Sequence, residues 1–312
     1  MKINLIPSKN ISFISILMLW ITLTSASSAQ KDSTVIDTTE HPPQYSDSLD
    51  LIKSDADTLP YVLDRVIPNQ AFKVGEKLTF VVRYGIIKAG EATMEVEGIV
   101  PIADREAYKI VSKAKSARTF DIFFKVRDQV ESWLDTQGIF SWKFNKSLRE
   151  GGFKFDLKVE YDQLYGKANV KSIRYEDSEP LQIRDQSEKV VEIPPYVLDI
   201  LASFYYVRTQ KLRLGRPLYL TNHDNEKIYD LKVIVQKREV IKVKAGKFRC
   251  IMVQPQLRGE AIFQQKGELW VWVSDDQYKI PVQMKSAVFI GNITTELKKI
   301  EGIPLPLPAQ LE

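Results

Sequence analysis

A strict alternation of apolar and charged residues is the feature that most limits the folds open to this chain. From Lys154 to Tyr161 the sequence reads Lys-Phe-Asp-Leu-Lys-Val-Glu-Tyr. Successive side chains of a β-strand point to opposite faces, so this pattern predicts a strand with one buried face and one wet face. Short polar turns separate the candidate strands, which favours antiparallel pairing because parallel strands need long crossovers. Further candidate strands are Leu78–Tyr84, Glu91–Val96, Tyr108–Val111, Phe123–Trp133 and Leu231–Val235, with turns at Lys88–Gly90, Asp162–Gly166, Asn222–Asn225 and Lys244–Gly246.

One segment, Val197 to Leu212, follows a helical period instead. Pro194 and Pro195 precede it and Gly215 follows it, and these residue types are typical start and stop signals of a helix. The chain is therefore predicted to be mainly β, a curved antiparallel sheet or incomplete β-barrel crossed by one helix. The apolar residues at helical spacing are Leu198, Leu201, Ala202, Tyr205 and Tyr206.

Composition divides the chain into four parts. Lys2 and Lys9, an apolar run and small residues ending at Ala29 predict a signal peptide over 1–29 and export to the periplasm. An acidic segment rich in Asp, Ser, Thr and Pro predicts a disordered linker over 30–68. A single β-rich domain is predicted over 70–301, with two similar halves at about 70–190 and 211–301, and a Pro-rich tail over 302–312. No transmembrane span is expected in the mature chain.

The charge pattern argues against a nucleic-acid partner. From Gln70 to Glu312 there are 39 basic and 32 acidic residues, spread over alternating strand positions. A nucleic-acid surface would gather its basic residues into a patch or stripe. Cys250 is the only cysteine and lies in an apolar run, so it is predicted to be a small buried hydrophobe without a disulfide.

Sequence motifs do not predict an enzyme. His41 lies in the linker, and His223 is predicted to lie at a solvated hairpin tip. The sequence has neither a Gly-x-Ser-x-Gly elbow nor a phosphate-binding glycine loop, and it lacks clustered zinc ligands. We therefore expect no catalytic residues, no metal and no cofactor, although two of the 40 acidic residues could converge in a hydrolase.

Three groups of residues are candidates for lining a ligand cavity. Trp270 and Trp272 lie in a strand that is apolar on both faces, which fits either a covered sheet core or one face lining an apolar pocket. Arg127 and Arg149 could be surface ion pairs or a polar cluster facing a ligand. For the helix, the alternatives are packing on the sheet and supplying polar tips inside a cavity. Its two candidate residues are Phe204 and Tyr205.

A set of short phrases carries a family resemblance. They are Phe72–Leu78, Arg83–Gly90, Arg149–Gly152, Asp199–Arg208, Ala245–Cys250 and Leu269–Asp276 with Ile280–Pro281. Together they resemble the exported bacterial domain of unknown function 3108, from about Phe72 to Leu297. This resemblance implies a cell-envelope protein of Gram-negative bacteria and supplies no catalytic residues. The stretch from Leu269 to Leu297 is also similar to the periplasmic lipoprotein-carrier fold, an incomplete antiparallel barrel that encloses an apolar cavity.

Two functions are therefore expected of the chain. The first is binding of a lipid or of a lipoprotein acyl chain in a half-barrel cavity. The alternative is a structural envelope component with a filled core, or one that binds an envelope protein partner.

Overall fold

The computed structural model describes residues 59–257, 269–287 and 292–312. Within these ranges the chain forms fifteen strands and two helices, α1 at Arg118–Asp121 and α2 at Ile200–Thr209. The predicted signal peptide and most of the predicted linker lie outside the described residues. The strands are β1 Lys77–Tyr84, β2 Ile87–Ile102, β3 Arg105–Ser116, β4 Arg127–Asp135, β5 Ser141–Glu150, β6 Phe153–Asp162, β7 Lys167–Tyr175, β8 Ile183–Glu192, β9 Leu218–Asp224, β10 Lys227–Val243, β11 Gly246–Leu257, β12 Leu269–Ser274, β13 Pro281–Ala287, β14 Asn292–Glu301 and β15 Gln310–Leu311.

All strands belong to one antiparallel sheet that does not close into a barrel. Its order is β8-β7-β6-β5-β4-β3-β2-β1-β14-β13-β12-β11-β10-β9, so β8 and β9 are the two edges, and β15 adds to β11. The predicted mainly β class, with a curved antiparallel sheet left open, is confirmed. The described residues contain a second helix beyond the predicted one, the four-residue α1.

The alternation that predicted the strands is what buries them. In β6, Leu157, Val159 and Tyr161 are buried while Lys158 and Glu160 are exposed. The candidate strand Phe123–Trp133 begins later than expected, at Arg127, because the preceding residues form α1 and a loop.

Helix α2 is shorter at both ends than the predicted Val197–Leu212 segment. Leu198 stays extended because its backbone bonds to edge strand β9, donating to Thr221 O at 3.1 Å and accepting from His223 N at 2.9 Å. The helix therefore begins at Ile200, directly after Asp199, whose side chain caps it. At the other end, Gln210 has extended backbone angles.

Both ends of the described domain lie against the sheet. In residues 59–68, at the end of the predicted linker, Tyr61 N donates to Leu164 O at 2.7 Å and Ile67 N donates to Gln137 O at 2.8 Å. In the predicted Pro-rich tail, Ile303 and Leu307 are buried, and Gln310–Leu311 pairs with β11. Proline cannot donate to a sheet ladder, but the prolines of the tail precede this pairing.

Cys250 is a buried free thiol in β11, as its apolar context predicted. Burial raises its pKa to about 12, so the thiol stays protonated and packs as a small apolar side chain.

Candidate functional site

The first turn of α2 is fixed to the sheet by a buried carboxylate. Asp199 accepts a hydrogen bond from Ala202 N at 2.8 Å, which is the usual role of an N-cap aspartate. Its other oxygen accepts from Ser132 Oγ on β4 and Ser141 Oγ on β5, each at 2.6 Å. Burial raises the pKa of Asp199 to about 6, against the opposing effect of these donors. The network ties the helix to strands β4 and β5.

The last turn of α2 is fixed by a buried ion pair. Arg208 Nη1 and Nη2 donate to the two carboxylate oxygens of Glu76, at 2.6 and 2.7 Å. The same guanidinium donates to Ala71 O at 2.8 Å and to Tyr278 O at 3.0 Å. Both side chains of the pair are at most 1% exposed. All three guanidinium nitrogens of Arg208 thus donate hydrogen bonds within the protein.

Between these anchors, one face of α2 lines an apolar groove over the second half of the sheet. The groove has an empty volume of about 620 Å³, its open mouth included. Residues of α2 at helical spacing form one wall, and alternate residues of β10 and β12 form the other. The lining residues are Ile200, Ser203, Phe204, Val207, Arg208, Leu231, Val233, Pro255, Leu269, Val271, Val273, Lys279 and Pro281.

The lining contributed by β12 comes from its aliphatic face. Leu269, Val271 and Val273 line the groove, and the alternation of the strand places Trp270 and Trp272 on the opposite face. Trp272 is buried there, and its Nε1 donates to Glu239 at 2.6 Å. The apolar strand therefore does line a groove, but the two predicted tryptophans do not.

Lys279 is one of the lining residues at the β12–β13 end of the groove. Its backbone is left-handed, with φ of 42°, and burial lowers the pKa of its side chain. The nearby Asp276 accepts from the backbone N–H groups of Tyr278 and Lys279, at 3.0 and 3.2 Å, and from Ala309 N at 3.2 Å. Among the described residues, no carboxylate forms an ion pair with Lys279 Nζ. Lys279 is therefore the one basic lining residue without an ion pair among the described residues, although the carboxylates of Asp276 and Asp275 attract its charge.

Of the other predicted site residues, only Phe204 lines this groove. Tyr205 lies on another face of α2 and packs edge-on against Phe72, with ring centroids 4.8 Å apart. Arg127 pairs with Asp121. Arg149 forms a two-point pair with Asp156, at 2.8 and 3.0 Å.

Sequence reasoning missed most of the groove. Ile200 and Val207 lie four residues before and three after Phe204, so they share its side of the helix, but the predicted stripe was the opposite, core-facing one. The loop position of Lys279, directly before Ile280 and Pro281, was the only local signal for that residue.

His223 does not lie at a solvated tip, so that prediction is wrong. Strand β9 continues through Asp224, and His223 is 1% exposed, with its Nδ1 3.2 Å from Tyr161 Oη. Burial and the nearby Lys146 lower the pKa of His223 to about 4, so its imidazole is neutral at pH 7. The error arose because the polar sequence 222–225 is typical of a turn, whereas its side chains pack onto the inner face of β5 and β6.

Other ionisable groups are also buried inside the domain. Lys146 Nζ lies 3.1 Å from Asp224 Oδ1, and burial lowers the lysine pKa and raises that of the aspartate. Burial and the neighbouring Glu150 carboxylate raise the pKa of Asp128 to about 8. These groups do not line the groove.

In the described part of the chain, no three His, Cys, Asp or Glu side chains cluster as metal ligands do, and no helix is long and apolar enough to cross a bilayer.

One sequence family and several solved structures are similar to this chain. A family model described as a protein of unknown function, DUF3108, matches residues 79–298. A β-barrel-like DUF1849 protein from Brucella abortus is similar over 76% of this chain and 98% of its own, with 12% identity and a TM-score of 0.46. Two further structures each cover 76% of this chain and 99% of their own, with 10% identity and a TM-score of 0.33. One is a Bacteroides fragilis protein provisionally described as exported, with a YmcC-like fold, and the other a Parabacteroides distasonis protein provisionally described as a lipoprotein. A comparison with curated proteins gave no match.

Proposed function

This chain belongs to the DUF3108 family, and we propose that it is an exported envelope protein that binds an acyl chain with an anionic head group in the groove beside α2. The role is binding rather than catalysis. The observation that carries the proposal is an aliphatic groove whose lining includes Lys279, a lysine that forms no ion pair within the described residues.

The lining of the groove supports a ligand of this class. Small-molecule sites are typically concave and mostly apolar, with a few placed polar groups. The groove is concave and lined almost entirely by apolar side chains. Its walls offer methyl and methylene groups from Leu269, Val271, Leu231 and Val233. Such a surface matches a flexible hydrocarbon chain.

Of the two basic residues that line the groove, only Lys279 lacks an ion pair among the described residues, and this supports an anionic head group. Arg208 is saturated by Glu76 and two carbonyl groups, so it is unavailable to a ligand. Lys279 remains, and its partly buried ammonium would gain from a carboxylate or phosphate. A hydrogen bond to a charged group contributes about 1.5–3 kcal/mol. The apolar start of the chain, with its small residues before Gln30, supports an envelope location for this binding.

Binding can be tested with two fluorescent probes that differ only in their head group. Dansyl-undecanoic acid should bind with increased fluorescence, and Val207→Trp, which fills the groove from α2, should weaken binding at least about tenfold. Val190→Trp is the matched control because Val190 lies on the exposed face of edge strand β8.

Lys279→Gln tests the contribution of the head group to binding separately from that of the hydrocarbon chain. It should weaken the acid about tenfold, since 1.4 kcal/mol is a factor of ten, and leave the corresponding dansyl-undecyl alcohol unchanged. If neither probe binds, or if Val207→Trp and Val190→Trp behave alike, the proposal is wrong, and the role of a structural or partner-binding envelope component with a filled core takes its place.

A further inference from the structure

Two loops at one end of the sheet present large apolar side chains to solvent. The β1–β2 turn carries Ile86, which is 94% exposed, and the loop after α1 carries Ile122 and Phe123, which are 83% and 82% exposed. Ile87 is 56% exposed beside them. Single exposed apolar residues are common on protein surfaces, whereas these two neighbouring loops carry four of them. We name these four residues the tip patch.

The two loops are held side by side by the backbone. Ala117 N, at the start of α1, donates to Ala89 O in the β1–β2 hairpin at 2.8 Å. Gly90 pairs with Ser116, and a Cβ atom at Gly90 would overlap the backbone of Lys115. The close approach therefore depends on glycine, and the tip patch has a fixed position on the sheet.

Basic residues surround the tip patch. Lys88, Arg118 and Lys125 are exposed on the same two loops. The two acidic residues of these loops are neutralised locally, Asp121 by Arg127 and Glu91 by Lys88 and Lys298. Their shortest ion-pair distances are 2.6 Å for Asp121 and 2.8 Å for Glu91. Residues 85–91 and 117–127 together hold four basic and two acidic residues. Because Lys88 and Arg127 are paired with these two acidic residues, the positive charge around the tip patch comes from Arg118 and Lys125.

We propose that the tip patch docks the protein on the surface of an anionic lipid bilayer. Apolar side chains that enter the boundary between head groups and acyl chains, with basic residues at head-group level, are the established physical basis of interfacial binding. Protruding tips suit a bilayer, which needs no complementary pocket, better than they suit a rigid protein surface. The proposal does not depend on ligand binding in the groove.

The geometry of the sheet brings this surface near one end of the groove. Tyr84, at the end of β1, pairs with Ile293, and the adjacent pairs of β14 with β13 end at Ala287. Leu269, which lines the groove, pairs with Ser286 on β13. Docking through the tip patch therefore places the Leu269 end of the groove on the membrane side of the domain.

Vesicle sedimentation tests the proposal directly. The full-length chain should sediment with vesicles of phosphatidylethanolamine and phosphatidylglycerol, and much less with vesicles of phosphatidylcholine alone. Ile122→Ser combined with Phe123→Ser should weaken binding at least about tenfold, given the apolar area these side chains would bury. Lys125→Gln should weaken binding to the anionic vesicles about fivefold, the effect of one basic residue near such a surface.

The control is Val190→Ser, which removes an exposed apolar side chain far from the tip patch and should leave binding unchanged. Residues 1–58 are identical in all variants, so any difference between variants belongs to the tip patch. Unchanged fluorescence and circular dichroism would verify the fold. If the wild type does not sediment with anionic vesicles, or if the double variant binds like Val190→Ser, the proposal is overturned and a protein partner becomes the better occupant.

Discussion

Replacing Arg208 by methionine should strongly destabilise the domain. Arg208→Met keeps most of the side-chain volume but leaves Glu76, which is 0% exposed, without its guanidinium. Removing one partner of a buried ion pair costs about 3–5 kcal/mol, because the remaining charge is buried and uncompensated. The carbonyl groups of Ala71 and Tyr278 also lose their donor, at about 1–3 kcal/mol for each acceptor left buried.

A second variant separates the ion pair from these carbonyl groups. In Glu76→Leu combined with Arg208→Met no buried charge remains, and apolar replacement of a buried pair is often neutral or stabilising. Only the loss at the two carbonyl groups then persists. The double variant should therefore be more stable than Arg208→Met alone by at least about 2 kcal/mol.

Urea unfolding followed by tryptophan fluorescence measures these free energies. The midpoint should fall for Arg208→Met and recover partly in the double variant, with an unchanged slope. Ligand probes at saturating concentration should be omitted, because binding would shift the midpoint. If Arg208→Met costs less than about 1 kcal/mol, or if the double variant is no more stable than Arg208→Met, the pair is not the buried anchor of α2 described above.

Two further predictions concern a buried carboxyl group and a backbone contact. The pKa of Asp128 is raised in the folded state, so its contribution to stability is complete below its ordinary pKa of 3.8 and is lost as the pH rises towards about 8. Asp128→Asn should therefore be nearly neutral at pH 4 and stabilising by about 2–4 kcal/mol at pH 8; equal effects at both pH values in chemical denaturation would contradict this. Gly302→Ala would place a Cβ atom on the backbone of Gly75 at a left-handed residue, whereas Gly215, also left-handed, has open space around it. Gly215→Ala should cost about 1–2 kcal/mol, and Gly302→Ala should lower the thermal midpoint further; similar midpoints would argue against the Gly302–Gly75 contact.

The class of the fold could be predicted because its cause is local. Alternation from Lys154 to Tyr161 reflects the geometry of a strand, and short polar turns leave antiparallel hairpins as the simplest connection. The ends of α2 could not be placed as well. They depend on the bonds of Leu198 to β9 and of Arg208 to Glu76, which lies 132 residues away in the sequence.

The buried polar interior could not be predicted for the same reason. The polar residues at 222–225 are typical of a turn. His223 and Asp224 are buried only because β9 packs against β5 and β6 in the folded domain. A sequence pattern reports which residues alternate along one strand. It does not report which distant strand will cover them.

The same limit applies to the lining of the groove. Strand β12 has two apolar faces, and its pattern alone does not indicate which of them faces a cavity. Because α2 lies over the face of Val271, the lining is aliphatic, with Phe204 as its aromatic ring. Had the helix covered the opposite face, Trp270 and Trp272 would form flat surfaces suited to stacking planar ligands. The side on which α2 packs therefore gives the groove an aliphatic lining, and that side is fixed by Asp199 and Arg208 at its two ends.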